Sequence, residues 1–173
     1  RAERMPKMGE TILGRSFVLG PGGKGSNQSV AAAMAGGTTH FITRLGKDDF
    51  AQIARSTWAR AAVHPEVTED GESYTGAAFI FLEDATGNNA IIVSPGAAAR
   101  ITTADLDAKA DLIRSAAVFV TQLEQPIPVY AGFGATARNV DKVEQRRIEP
   151  PRLAAVPSAE AVKARSGWII QRS

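Results

Sequence analysis

A glycine-rich turn that leads directly into an alanine-rich run constrains the fold of this chain more than any other feature. The residues 20–23 (GPGG) cannot continue a helix or a strand, so any regular element before them ends there. From Ser26 the sequence is rich in alanine and has no proline or glycine until Gly36. This pattern predicts a helix that begins directly after the glycines and ends at Gly36-Gly37.

Strand-like and helix-like segments alternate around this turn at short spacing. We predict a short strand at 16–19, a strand at 40–45 (HFITRL) and a helix that follows Asp48 and Asp49. Further on, a helix capped by Thr102 or Thr103 is expected to run to about Ser115, and 116–123 has the composition of a buried parallel strand. Such alternation is typical of an α/β layer.

Two β-type runs interrupt this alternation. They are 75–84 and 88–96, and the Gly87-Asn88 pair between them is a strong turn signal. We therefore predict an antiparallel hairpin that lies outside the main sheet.

Composition excludes several classes of protein. The 173 residues suit one domain, and their 44% hydrophobic and 22% charged content is that of a globular chain. The absence of cysteine excludes a disulfide scaffold and a cysteine-type zinc site, and two histidines exclude a three-histidine zinc site. No apolar run approaches the roughly 18 residues that span a bilayer. We expect a cytoplasmic protein with no membrane partner.

Charge is uneven along the chain. Residues 1–128 carry 12 basic and 14 acidic residues, whereas 129–173 carry 8 basic and 4 acidic. The net charge of +2 is too small to indicate nucleic acid binding, and the basic end lacks interspersed aromatic residues for base stacking. We expect no nucleic acid partner, and we treat 129–173 as an atypical basic tail.

The segment PGGKGSNQ at 21–28 is the strongest candidate for a binding site. Closely spaced glycines let the backbone approach a ligand, and N–H groups at a helix start bind anions or hydroxyls. It is not a phosphate-binding Walker loop, because Gly25 follows Lys24 and Val18 stands where that motif needs glycine. The spacing also fails the Rossmann pattern. Taken alone, the segment is equally compatible with a loop that only caps a helix.

The wider pattern resembles the ribokinase (PfkB-type) carbohydrate kinase family. RMPKMGETILG is similar to the family's R-x-P-x-x-GET segment, GGKGSNQSVAAA to GGKGANQAVAA, and TRLGKDDF to G-x-V-G-x-D-x-F. The hairpin run ESYTGAAFIFLEDATGNNAIIV and the segment TQLEQP also match, in order and spacing, from Arg4 to about Pro128.

This resemblance implies a three-layer α/β/α fold, here with a partial sheet over 1–128, and a small β lid made of segments near 10–20 and 75–96. It implies transfer of a phosphoryl group from ATP to a sugar, ribose above all, with Mg²⁺ and with K⁺ stimulation in many members. It also implies dimerisation through the lid. By position, Gly23, Lys24, Gly25 and Asn27 would bind sugar hydroxyls, and Glu124 would bind a further one.

The chain departs from the family in its later part. The GAGD-type segment, which supplies the anion hole and the catalytic aspartate, has no counterpart, so no catalytic or ATP-binding residue is assigned. Residues 129–173 do not resemble the family's continuation, and we interpret them as non-family sequence. The expectation is a sugar kinase whose present chain is inactive alone. The alternative is a non-catalytic remnant that binds sugar or pairs through its lid.

Overall fold

The computed structural model describes residues 1–122, 129, 143–145 and 167–170. In chain order the described elements are α1 (Lys24–Met34), β1 (Thr39–Leu45), α2 (Asp49–Arg60), β2 (His64–Glu69), β3 (Thr75–Leu82), β4 (Asn89–Gly96), a 3₁₀ helix (Ala97–Arg100), α3 (Thr103–Asp107), α4 (Ala110–Ser115), β5 (Val118–Thr121), β6 (Val143–Gln145) and β7 (Gly167–Ile170). The main sheet has the order β2-β1-β7-β5-β6, and all of its pairings are parallel.

Strand β1 is buried on both faces, which is typical of parallel sheets covered by helices. Phe41 and Leu45 pack on one face against a cluster that includes Trp58 of α2 and residues of α1. Ile42 packs on the other face against the second cluster, whose other buried members are Ile101, Leu106, Ile113, Ala116, Phe119 and Val129. Helices therefore cover both faces of the sheet, and the predicted three-layer α/β/α class is confirmed.

The order of elements sets the direction of α1. The helix ends at Met34, and the chain passes through Gly36-Gly37 to enter β1 at Thr39. Because α1 ends beside the amino ends of the parallel strands and packs along β1, its first turn points towards their carboxyl ends. Ligands of open α/β folds bind at this edge.

The hairpin forms a separate two-stranded antiparallel sheet, as predicted. Opposed pairs alternate between its faces, with Phe79 opposite Ile92 on one face and Ile80 opposite Ile91 on the other. All four side chains are more than half exposed. Both faces of the hairpin are thus apolar and open to solvent.

A junction between the sheet and the hairpin forms where β1 ends. The Gly46 amide donates to the Thr75 hydroxyl at 3.0 Å, and the Thr75 amide donates to Oδ2 of Asp48 at 2.7 Å. A Cβ on Gly46 would lie 2.6 Å from the Ser73 carbonyl oxygen, so this approach requires glycine. The other Asp48 oxygen accepts from the Ala51 amide at 2.9 Å and caps α2, the helix that was predicted to follow Asp48 and Asp49.

The hydrogen bonds at this junction also act on the Asp48 carboxyl. Partial burial raises its pKa, but hydrogen bonds from Thr75, Ala51 and Phe50 lower it by more, so the pKa lies below the ordinary value. The charged form is therefore the one that the folded chain stabilises.

Two predictions about regular structure need correction. The strand expected at 16–19 is absent, and Phe17 and Val18 are 78% and 83% exposed. A strand needs a paired neighbour, and the backbone of Arg15 and Ser16 instead forms hydrogen bonds with the single residue Arg1. The helix expected up to Ser115 is divided into α3 and α4, because Lys109 leaves helical geometry and its ammonium reaches Glu66 at 2.6 Å.

Strand β2 was not anticipated, because its sequence HPEVTE contains a proline and two acids. Proline is tolerated on the outer strand of a sheet, and β2 occupies that position next to β1. The cap of α3 by Thr102 is confirmed as a capping box with Asp105. The predicted strand at 116–123 is confirmed as β5, while its last residue lies outside the described residues.

The loop before the glycine turn is organised by one ion pair. Two nitrogens of the Arg4 guanidinium donate to the Glu10 carboxylate, at 2.8 and 2.5 Å. The Lys7 amide donates to the same carboxylate at 2.9 Å. The hydrogen bond from Arg4 and then that from Lys7 lower the pKa of Glu10 to about 2. The R-x-P-x-x-GE pattern therefore encodes a closed local loop.

We predict that Asp48→Ala lowers the free energy of unfolding by about 2 kcal/mol, because it removes both the helix cap and the bond to Thr75. Asp48→Ser keeps a capping oxygen and loses only the Thr75 bond, so about 1 kcal/mol is expected. Urea unfolding followed by circular dichroism measures both. Asp49→Ala, at an exposed neighbouring residue, is the control. Equal losses of unfolding free energy in Asp48→Ala and Asp48→Ser would contradict the role of Asp48 as both helix cap and acceptor for Thr75.

A second prediction concerns Glu10. Its folded pKa is depressed, so the stability added by its charged form is present above the ordinary glutamate pKa of about 4.3 and is lost as the pH falls towards 2. Carbon-13 NMR of the side-chain carboxyl should show Glu10 charged at pH 3 in the unsubstituted chain and largely protonated at pH 3 in Arg4→Met. Glu72, an exposed acid, serves as an internal reference, and an unchanged Glu10 titration in Arg4→Met would disprove the pairing.

Candidate functional site

The first turn of α1 is built on Gly23. This residue is the N-cap with φ 92° and ψ 127°, a backbone conformation that side chains disfavour and glycine adopts freely. Its carbonyl accepts the Asn27 amide at 2.8 Å, and no side chain caps the helix. The first turn also contains no acidic residue, so the positive end of the helix dipole is not offset there by a carboxylate of its own.

The predicted binding residues of this turn divide by exposure. Lys24 and Asn27 are exposed, whereas Gly25 is buried and Gly23 is partly buried. An ammonium, an amide and accessible backbone together offer both donors and acceptors, the mixture that hydroxyl-rich ligands need. Four of the five predicted residues are thus adjacent, and the fifth, Glu124, lies outside the described residues.

Gln122 links this turn to the end of β5. Its side-chain amide donates to the Gln28 amide oxygen at 2.5 Å, across 94 positions of sequence. Gln122 is buried, at the carboxyl end of a parallel strand. Sequence reasoning did not select it, although its place directly after a buried strand is the signal that would have done so.

The hairpin starts from the same edge. Its first residue, Thr75, is held by Gly46 directly after β1, and the 3₁₀ helix returns the chain at Ala97, whose amide donates to the Tyr74 carbonyl at 2.8 Å. The start of α1, the end of β5 and the root of the hairpin therefore share the carboxyl edge of the sheet. This arrangement fits a binding site with a lid.

Charged side chains beside the hairpin root neutralise one another. Arg44 contacts Asp70 at 3.2 Å and Asp105 at 3.1 Å, and Arg100 contacts Asp70 at 2.8 Å and Glu72 at 2.7 Å. The Glu72 amide lowers the pKa of Asp70, burial opposes this, and the charges of Arg100 and Arg44 lower it further. Because these carboxylates already have cationic partners, we assign the network a structural role.

An open cleft of about 410 Å³ lies beside the start of α2. Its charged lining residues are Lys47, Asp48, Asp49, Arg55 and Glu69. Arg55 contacts Glu69 at 2.9 Å, and both Asp48 oxygens accept backbone amides. The cleft thus offers few uncommitted groups, and the turn at Gly23 remains the better candidate.

The two histidines lie away from this edge. His40 and His64 begin neighbouring strands and stack with 4.7 Å between ring centroids, and His40 contacts Glu66 at 3.2 Å. Their position near the amino ends of β1 and β2 indicates a structural role.

Within the described residues, no three histidine or acidic side chains are grouped closely enough to hold a metal ion. No helix in the described ranges has the length and apolar character that crossing a bilayer requires. The cytoplasmic location stays a prediction.

Known proteins resemble this chain in sequence and in fold. Mouse ribokinase is 35% identical over 122 residues, 70% of this chain and 38% of the mouse protein. The deoxyribokinase of Salmonella typhimurium is 34% identical over 124 residues, 70% of this chain and 40% of that protein. The structure of Arabidopsis thaliana ribokinase complexed with ribose and ATP aligns with a TM-score of 0.70 at 28% identity, over 78% of this chain and 44% of that one.

These likenesses confirm the ribokinase-like fold, and this chain spans less than half the length of the relatives. The division at residue 128 stays a prediction. The model of the pfkB family carbohydrate kinases matches residues 1–150, which is most of the chain. The chain therefore belongs to the pfkB family of carbohydrate kinases.

Proposed function

We propose that the protein represented by this chain is an ATP-dependent sugar kinase that phosphorylates ribose. The observation that supports this most directly is the uncapped first turn of α1, with Lys24 and Asn27 exposed at the carboxyl edge of the sheet beside the hairpin root. Family membership and relatives named as ribokinases agree with it. The Salmonella relative named as a deoxyribokinase makes 2-deoxyribose the competing substrate.

In this proposal each residue of the turn has a separate role. The Asn27 amide donates to one sugar hydroxyl and accepts from another, and the Lys24 ammonium donates only. Gly23 has no side chain and is only partly buried, so the sugar reaches its backbone, whereas the backbone of the buried Gly25 is not open to it in this structure. Glu124 accepts hydrogen bonds from a further hydroxyl.

The phosphate-handling part of the reaction is assigned to no described residue. The described residues hold no cluster of three metal-ligating side chains, and the sequence holds no GAGD-type segment, so we derive no transfer step from this chain. We propose that the chain alone binds sugar without phosphorylating it. ATP as donor and K⁺ as activator remain part of the proposal for the whole protein.

We also propose that a second copy of the chain docks on the hairpin. Phe79 and Ile92 on one face, and Ile80 and Ile91 on the other, are each more than half exposed. Large apolar side chains exposed on both faces of a two-stranded sheet are unfavourable in water, and such a hairpin gains stability when each face is covered. In this proposal the sugar site takes one face, and the second copy takes the other.

Sugar binding tests the proposed function. Isothermal titration of the 173-residue chain with ribose should give saturable heat, and Lys24→Ala and Asn27→Ala should each weaken the affinity about tenfold, since each removes hydrogen bonds to the ligand. Lys47→Ala, an exposed lysine in the turn after β1, is the matched control and should change nothing. Titration with 2-deoxyribose gives the affinity for the competing sugar, which can be compared with the affinity for ribose.

Three results would count against the proposal. If titration with ribose gave no heat, the proposed sugar site would be wrong. Equal weakening by Lys47→Ala would show a nonspecific charge effect. Phosphorylation of ribose by the lone chain with ATP and Mg²⁺ would disprove the separation between binding and catalysis.

The docking proposal predicts a dimer in solution. Sedimentation velocity should show association that is abolished by a charge pair on one face of the hairpin, either Ile80→Glu with Ile91→Glu or Phe79→Glu with Ile92→Glu, because buried charges are costly. Met34→Glu, at an exposed apolar residue of α1, is the control. A monomer at every concentration, or a dimer that resists both pairs, would refute the docking.

A further inference from the structure

A buried hydrogen bond joins α2 to the first turn of α1. The Trp58 indole nitrogen donates to the Ser26 hydroxyl oxygen at 2.8 Å. Trp58 is 2% exposed and Ser26 is 5% exposed, so water does not compete for this bond. A buried indole N–H without an acceptor is costly, and this contact therefore has one strongly preferred geometry.

Ser26 lies within the group of candidate sugar-binding residues. It is the residue between Gly25 and Asn27, and on a helix with about 100° per residue it points roughly away from the side that carries Lys24 and Asn27. The exposed side of the turn thus holds the candidate ligands, and the buried side holds the indole contact. A rotation of this turn about the helix axis would move both sides together.

The donor of this bond is itself held firmly. The Trp58 ring packs edge-on against Phe41 of β1, with 5.1 Å between ring centroids. On the acceptor side, the Ser29 hydroxyl donates to the Ser26 carbonyl at 2.8 Å inside the core. A series of packed groups therefore runs from the central strand to the turn, which has no side-chain cap of its own.

We propose that Trp58 is a positioning residue for sugar binding. Through Ser26, its indole sets the rotation of the first turn of α1, and so the directions in which Lys24 and Asn27 meet the sugar. The inference rests on the proposed function, because the sugar is the ligand whose affinity reports the geometry of the turn.

A double-mutant cycle in the full chain tests this role. Trp58→Phe keeps an aromatic ring in the core and removes the donor, and Ser26→Ala removes the acceptor. We expect each to weaken ribose binding at least fivefold by titration calorimetry, and the double variant to be no weaker than the worse single variant, because both delete the same bond. Phe41→Leu, which disturbs the packing of the ring but leaves the bond, should change the affinity less than twofold.

A spectroscopic measurement in the unsubstituted chain accompanies the cycle and needs no folded variant. The indole N–H signal of Trp58, identified by nuclear Overhauser contacts between its ring and that of Phe41, should shift in nitrogen-15 NMR spectra as ribose is added, with the same midpoint as the calorimetric titration. If ribose binds but this signal does not move, or if both single variants bind as tightly as the parent, the inference is wrong and the proposed function stands. If ribose does not bind at all, both are wrong.

Discussion

The burial of β1 on both faces is the constraint on which the remaining structure depends. Phe41 and Leu45 are buried on one side of this strand and Ile42 on the other, so helices must cover both faces. That requirement brings α1 and α2 to one face and the later helices to the other. The connections between them then meet at the two edges of the sheet.

The features that suggest a binding site all lie at one of those edges, the carboxyl edge of the parallel strands. The glycine turn, the Gln28–Gln122 bond and the root of the hairpin all lie where the parallel strands end. No one of these features is specific alone, since glycine turns cap many helices. Their convergence on one edge, together with family membership, is what supports a sugar site.

Much of this could be predicted from sequence because its causes are local. Glycine at 23, the cap at Asp48 and the turn at Gly87-Asn88 act within a few residues, and the elements that they define are confirmed. The resemblance to the family likewise selected candidate residues in one turn, namely Gly23, Lys24, Gly25 and Asn27. They could not show how these residues are held.

The predictions that were wrong failed because of contacts between residues far apart in the sequence. Strand β2 depends on pairing with β1, which outweighs the low strand propensity of its proline, and the division between α3 and α4 accompanies a contact between Lys109 and Glu66, 43 positions apart. The strand expected at 16–19 has the right composition, but it belongs to neither described sheet. The hydrogen bond of Trp58 could not be predicted from the sequence, because its acceptor, Ser26, lies in another helix.

The carboxylate at position 48 illustrates how little chemical freedom such a junction leaves. Each of its oxygens accepts a hydrogen bond from a backbone amide. One of these amides belongs to α2 and the other to the hairpin. Asparagine has a single acceptor oxygen and would set its amino group against one of these N–H groups, and glutamate would carry the pair of oxygens one methylene too far. Of these three side chains, only aspartate can accept both hydrogen bonds from the backbone as it stands.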